Sequence, residues 1–144
     1  MKNKRLLNEF KMQIPSNSVN EGFSRRVFSA FVSILDPTVS DLADIRTAVS
    51  EAVTNCIVHA YKENGGTIYI SGKYFSDRSV EIKIKDKGCG IPDVEKAAEP
   101  LYTTDTTGER GGMGFAIMRS FTDKLKVRSE VGKGTTVTMV KTLK

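Results

Sequence analysis

The stretch TIYISGKYFSDRSVEIKIKDKGCGIP, residues 67–92, sets the layer that the rest of the chain must cover. Apolar and polar residues alternate through TIYISGKYF and again through SVEIKIK, which is the period of strands with one face buried. The short SDR between them turns the chain back, so the two runs form a hairpin. The second strand runs straight into DKGCGIP, where Asp86 is followed by Gly88 and Gly90. A carboxylate is thereby presented beside backbone that can approach a flat ligand closely, and it can accept a hydrogen bond from an exocyclic amine such as that of adenine. DxGxG alone is a weak signal, because an ordinary turn after a strand has the same form.

Upstream of the hairpin the period changes to that of a helix. It begins near Ser40 or Asp41, buries Leu42, Ile45, Val49, Ala52 and Cys56, and stops near ENGG, whose paired glycines suit a helix end. Glu51, Asn55 and His59 recur at intervals of four within it and share one polar stripe, which is either a wet face or a site. Asn55 offers a neutral oxygen for Mg²⁺, an ion that keeps waters and phosphate oxygens as its other ligands. Glu51, one turn earlier, can take a proton from an attacking hydroxyl. His59 suits packing or a hydrogen bond better than catalysis.

Further upstream, SVNEGFSRRVFSAFVSIL places Phe23, Val27, Ala30, Phe31 and Ile34 at helical spacing, and Ser18 with Glu21 has the form of a capping box. LLNEFKMQI puts Phe10, Met12 and Ile14 on one side of a strand that Pro15 stops. Downstream, a short helical stretch at DVEKAAE gives way to LYTTDTTGERGG, which has turn formers and no period and reads as a loop. GERGGMGFAIM then sets Gly111, Gly112 and Gly114 at a helix start, where free backbone N–H groups and the helix dipole suit phosphates and Arg110 can reach one. No GK[ST] follows, so it is not a P-loop, and a glycine hinge has the same form. KLKVRSEV and TTVTMVKTL close the chain as a second hairpin. The order predicts an α/β (α+β) two-layer sandwich: a mixed, mostly antiparallel sheet of about five strands with its helices on one face.

Composition bounds the rest. The chain of 144 residues, 39% hydrophobic and 27% charged, fits one domain over 1–144 with a single core. No apolar run spans a membrane and the N-terminus has no h-region, so the cytoplasm is the expected compartment. Cys56 and Cys89 lack CxxC spacing, and the single histidine leaves no zinc cluster, so both read as reduced structural thiols. The net charge of +5 admits nucleic acid. Its distribution argues against direct binding: Lys83, Lys85 and Lys87 alternate along one strand and Lys126 and Arg128 flank Val127, as on solvent faces of strands.

An ExxxN helix, a strand ending in DxGxG, a flexible segment and GxG opening a helix are, in one small chain, the parts an ATP site requires. These motifs resemble the ATPase and kinase superfamily shared by gyrase, Hsp90, histidine kinases and MutL, over roughly residues 40–140. TAVSEAVTNCIVHAY, DKGCGI, LYTT and RGGMGFAIM look most like the small anti-sigma-factor serine kinases of endospore-forming bacteria, and LDPT with the short length extends the likeness over essentially the whole chain. The resemblance implies a Bergerat-type ATP-binding fold and a homodimer that uses ATP and Mg²⁺. It also implies two protein partners, a sporulation sigma factor that is sequestered and an anti-anti-sigma protein that is phosphorylated on serine.

By the same resemblance Glu51 is the general base, Asn55 the magnesium ligand and Asp86 the adenine-recognising aspartate with Gly88 and Gly90 beside the base. Thr103 and Thr104 begin a lid over the phosphates, Arg110 lies near the γ-phosphate, Gly112, Met113 and Gly114 cradle phosphate, and Thr135 lies near adenine. Glu21 and Arg25 meet the sigma factor. Gly111 departs from the pattern, since relatives usually have serine there. Two other readings remain: a binding module whose nucleotide only sets its shape, and a nucleic-acid binder.

Overall fold

The computed structural model describes residues 4–62, 65–91 and 114–144. Strand β1 (Leu6–Pro15) leads into helix α1 (Val19–Val32) and a single 3₁₀ turn, Ser33–Leu35. Helix α2 (Val39–Asn55) continues into a π turn, Cys56–Ala60. The central hairpin is β2 (Thr67–Phe75) and β3 (Ser79–Asp86); α3 (Gly114–Phe121), β4 (Lys124–Glu130) and β5 (Gly134–Thr142) follow. The sheet order is β1-β2-β3-β5-β4. Every pairing among these strands is antiparallel, so the expected two-layer α+β sandwich is present and its described sheet is wholly antiparallel.

Helix α2 is the central helix, packed between α1 and α3 and against β3. Thr38 caps it: its hydroxyl accepts the backbone N–H of Asp41 at 3.0 Å. Ile45, Ala48, Val49, Ala52 and Val53 bury one side of α2 over Ile68 and Ile70 of β2, Ile82 and Ile84 of β3, and Met139 of β5. The opposite face of the sheet is the more exposed one among the described residues. Lys83 and Lys85 are exposed there, as the alternation predicts, and Thr138 and Thr136 of β5 place them in the same cross-strand rows as Lys126 and Arg128.

Two readings of α1 are corrected. Its buried residues are Ser24, Phe28 and Val32, one step round from the expected stripe; Phe31 packs partly, while Phe23 is 44% and Ile34 73% exposed. The inward stripe is disguised by a serine that hides its own polarity: Ser24 Oγ donates to the Asn20 carbonyl at 2.7 Å and so can be buried without an unmet donor. The capping box does not form. Ser18 makes no side-chain cap bond, and the Glu21 carboxylate is instead held by Arg25 and by the Ser50 hydroxyl of α2.

The candidate nucleotide site

Asp86 is the last residue of β3, and its side chain is 5% exposed. Its Oδ1 accepts two backbone N–H groups, from Gly88 at 2.9 Å and from Thr135 of β5 at 3.2 Å. Its Oδ2 accepts the Cys56 thiol at 3.6 Å. Burial raises the Asp86 pKa above the usual carboxylate value, against the lowering effect of the Gly88, Cys56 and Thr135 bonds. Burial, with the Asp86 charge second, pushes the Cys56 pKa well up, so Cys56 stays a protonated thiol and a donor.

The loop after Asp86 is clasped to the end of α2. The π turn leaves carbonyls out of the ordinary helical ladder, and two of them take the loop: Ala60 accepts the Cys89 N–H at 3.1 Å and His59 accepts the Cys89 thiol at 3.3 Å. Lys87 N–H donates to the Tyr61 hydroxyl at 2.6 Å, and that hydroxyl donates to the Thr67 carbonyl. Only glycine fits at position 88, because a Cβ there would lie 2.4 Å from the Ala60 carbonyl oxygen. Gly90 holds φ +77° against the Glu130 backbone. Ser129 accepts the Ile91 N–H at 2.7 Å and shares a hydrogen bond of 2.7 Å with the Thr135 hydroxyl, which ties the loop to β4 and β5.

The other end of the site belongs to α2 and α3. Asn55 closes α2, and Gly114 opens α3 against it: a Cβ on Gly114 would stand 3.0 Å from Asn55 Oδ1 and 3.2 Å from Nδ2. The ExxxN helix and the GxG helix therefore meet where the Asn55 carboxamide faces Gly114. Glu51, one turn before Asn55, is half-buried and lines a cleft of about 270 Å³ with Arg25, Ala43, Arg46, Thr47 and Ser50. His59 falls in the π turn, whose Tyr61 N–H bonds back five residues to the Cys56 carbonyl at 3.0 Å. Residues four apart no longer stack in such a turn, so the polar stripe of α2 ends at Asn55.

The structure thus joins Asp86 to Gly88 and Thr135 by hydrogen bonds, sets Gly90 of the same loop against Glu130, and packs Asn55 against Gly114. Glu21 and Arg25 stand on α1, where Arg25 Nε lies 3.1 Å from Glu21 Oε1 and both reach the Glu51 side of α2 through Ser50 and the shared cleft. Thr103, Thr104, Arg110, Gly111, Gly112 and Met113 lie outside the described residues. Sequence reasoning missed Cys56, Tyr61 and Ser129 as the residues that bond to Asp86 and its loop. A thiol at a helical core position carries no spacing signal, and the bonds of the other two cross 26 and 38 residues of chain.

These groups suit nucleotide binding: a buried carboxylate acceptor stands beside Gly88 and Gly90, which no side chain could replace without a clash. Among the described residues no group of three or more His, Cys, Asp and Glu could hold a metal. A cation at Asn55 would therefore draw its other ligands from waters and phosphate oxygens, as Mg²⁺ prefers. Among the same residues no helix is long and apolar enough to cross a membrane.

Residues 17–141 match the Histidine kinase-like ATPase domain family. The Anti-sigma F factor of Caldanaerobacter subterraneus subsp. tengcongensis is 51% identical over 134 residues, 93% of each chain. That of Clostridium acetobutylicum is 46% identical over 136 residues, 94% of each chain. Among solved structures, a Mycobacterium tuberculosis chain carrying RsbU and RsbW domains superposes with TM-score 0.69 at 18% identity, covering 95% of this chain and 33% of that one, a likeness of fold.

Proposed function

Because the chain belongs to the histidine kinase-like ATPase family and, within it, to the anti-sigma F factors, we propose that it is an ATP- and Mg²⁺-dependent protein serine kinase. In this reading it binds and inhibits a sporulation sigma factor, sigma F, and phosphorylates the anti-anti-sigma antagonist of that factor on serine. It works in the cytoplasm as a homodimer, with the whole chain as one ATP-binding domain. The observation that carries the proposal is the meeting of three separate motifs: Asp86 buried with its glycines, Asn55 packed on Gly114, and Glu51 one turn away beside an open cleft.

In the proposed reaction Asp86 accepts the exocyclic amine of adenine, and Gly88, Gly90 and Thr135 line the base. Asn55 holds Mg²⁺, which when bound offsets charge on the phosphates. Glu51 takes the proton of the partner's serine hydroxyl as that oxygen attacks the γ-phosphorus and ADP leaves. Thr103, Thr104, Arg110, Gly112, Met113 and Gly114 surround the phosphates in the same reading. Glu21 and Arg25, next to the Glu51 cleft, receive the sigma factor.

Incubating the purified chain with ATP, Mg²⁺ and the antagonist is expected to yield one phosphoserine per antagonist by mass spectrometry. Sigma-factor binding without any phosphoserine would leave the nucleotide-dependent binding module as the correct reading.

A further inference from the structure

Asp86 Oδ1 is fully engaged by the Gly88 and Thr135 N–H groups, at 2.9 and 3.2 Å, so the oxygen left to serve a ligand is Oδ2. That oxygen has one protein partner among the described residues, the Cys56 thiol at 3.6 Å. Both residues are largely buried, Cys56 at 3% and Asp86 at 5% exposure. Cys56 cannot drift from this contact. Its N–H bonds to the carbonyls of Ala52 and Val53, its carbonyl accepts the Tyr61 N–H at 3.0 Å, and its side chain is walled into the core between α2 and β3.

We infer that Cys56 is a positioning residue for base recognition: its S–H occupies one lone pair of Asp86 Oδ2 and thereby aims the other at the exocyclic amine of a 6-aminopurine. The inference rests on the reading of Asp86 as the adenine acceptor. A carboxylate oxygen has two lone-pair directions, and a buried donor fixed on one of them restricts rotation of the whole carboxylate. A thiol suits the task, being a weak donor that holds Oδ2 without exhausting it as an acceptor. Chemically, Cys56 would sharpen selection of 6-aminopurine nucleotides over purines that lack the amine, without touching the nucleotide itself.

The test is calorimetric titration of the full chain with ADP and with the diphosphate of purine riboside, which lacks the 6-amino group. For Cys56→Ala the loss of one modest hydrogen bond predicts about three- to tenfold weaker ADP binding, with the affinity for the desamino nucleotide unchanged. Cys56→Ser, which restores a short donor, is expected to return ADP affinity to within about twofold of the wild-type value. Equal weakening toward both nucleotides, no weakening in Cys56→Ala, or failure of serine to rescue would each overturn the inference. Asp86→Asn separates this from the underlying reading: that variant must bind the two nucleotides alike. If it still prefers ADP as strongly as the wild type, it is Asp86, and not Cys56 alone, that has been misassigned.

Discussion

The two ends of the site are built in different ways. Asp86, at the end of β3, is held by Gly88 of the following loop and by two groups far away in sequence, the buried Thr135 of β5 and Cys56 of the π turn. Glu51 and Asn55 are placed by the 3.6-residue period of a single helix, half-exposed, with Gly114 of α3 as the main long-range contact described for Asn55. The base end is therefore preformed, and its cost is borne by the fold. The Glu51 and Asn55 end, to which the proposed reaction assigns the base and the metal, is built at little structural cost. Variants at the first should trade stability against binding, and variants at the second should change chemistry alone.

The largest effect expected is at Glu51. Glu51→Gln keeps the size and hydrogen-bonding reach of the side chain but cannot accept a proton, so phosphoryl transfer should fall by about 10²- to 10⁴-fold. ADP affinity should stay within about twofold of the wild-type value, because the effect is confined to the transition state. Single-turnover assays with the antagonist and calorimetry with ADP check the two halves. Weakened ADP binding would mean that the two ends are not separable.

At the base end Asp86→Asn should weaken ADP by roughly 10- to 100-fold, the range for a hydrogen bond to a charged group. Stability should move the other way. Burial raises the pKa of Asp86 in the folded chain above its ordinary value near 3.8, so its stabilising contribution is fully present below that value and is lost as pH rises through the folded pKa. At neutral pH the ionised carboxylate is a net burden on the empty fold, and the Asp86→Asn variant is expected to melt at the same temperature or higher. ADP binding by the wild type should weaken as pH falls through the raised Asp86 pKa, since the protonated acid no longer presents a carboxylate to the amine. Thermal melts and ADP titrations across acidic pH read both signs.

A smaller effect is expected where the two ends touch. Gly114→Ala places a methyl 3.0 Å from Asn55 Oδ1, close enough that the carboxamide must shift by a few tenths of an ångström. The Mg²⁺-dependent part of ADP affinity should fall about three- to tenfold, with ADP binding in EDTA unchanged, if Asn55 is the metal ligand. Loss of binding in both conditions would locate the damage in helix packing instead.

The same contrast explains what the sequence disclosed. The α2 stripe was legible because Glu51 and Asn55 obey a local period, and Asp86 because it ends a clearly alternating strand. The bonds that surround Asp86 and its loop were not legible: Cys56, Tyr61 and Ser129 act across the fold, and nothing in their spacing distinguishes them from core or loop residues. The α1 face was misread because Ser24 satisfies its hydroxyl on its own helix and can be buried, while Phe23 and Ile34, apolar and correctly spaced, lie outside. Periodicity weighs side chains by polarity, and the fold weighs them by whether their polarity is already met. The π turn is a further case, since a change from four- to five-residue bonding removes His59 from the stripe without leaving any mark in the pattern.

The smallest effect concerns the link between α1 and α2. The Ser50 hydroxyl donates to Glu21, which in turn pairs with Arg25 at 3.1 Å, and the pair is about one-third exposed on each side. An exposed pair of this kind contributes about 0–1 kcal/mol, so Ser50→Ala should lower stability by at most about that amount. Its value is as a probe of position. Ser50 adjoins Glu51 in sequence and contributes to the same cleft, so if Glu21 and Arg25 meet the sigma factor, freeing Glu21 should weaken that complex by a few-fold while ADP affinity and phosphoryl transfer stay unchanged. A fall in transfer rate without a change in sigma-factor binding would instead make the α1 pair part of the substrate side of Glu51, and would extend the chemical end of the site across the cleft to α1.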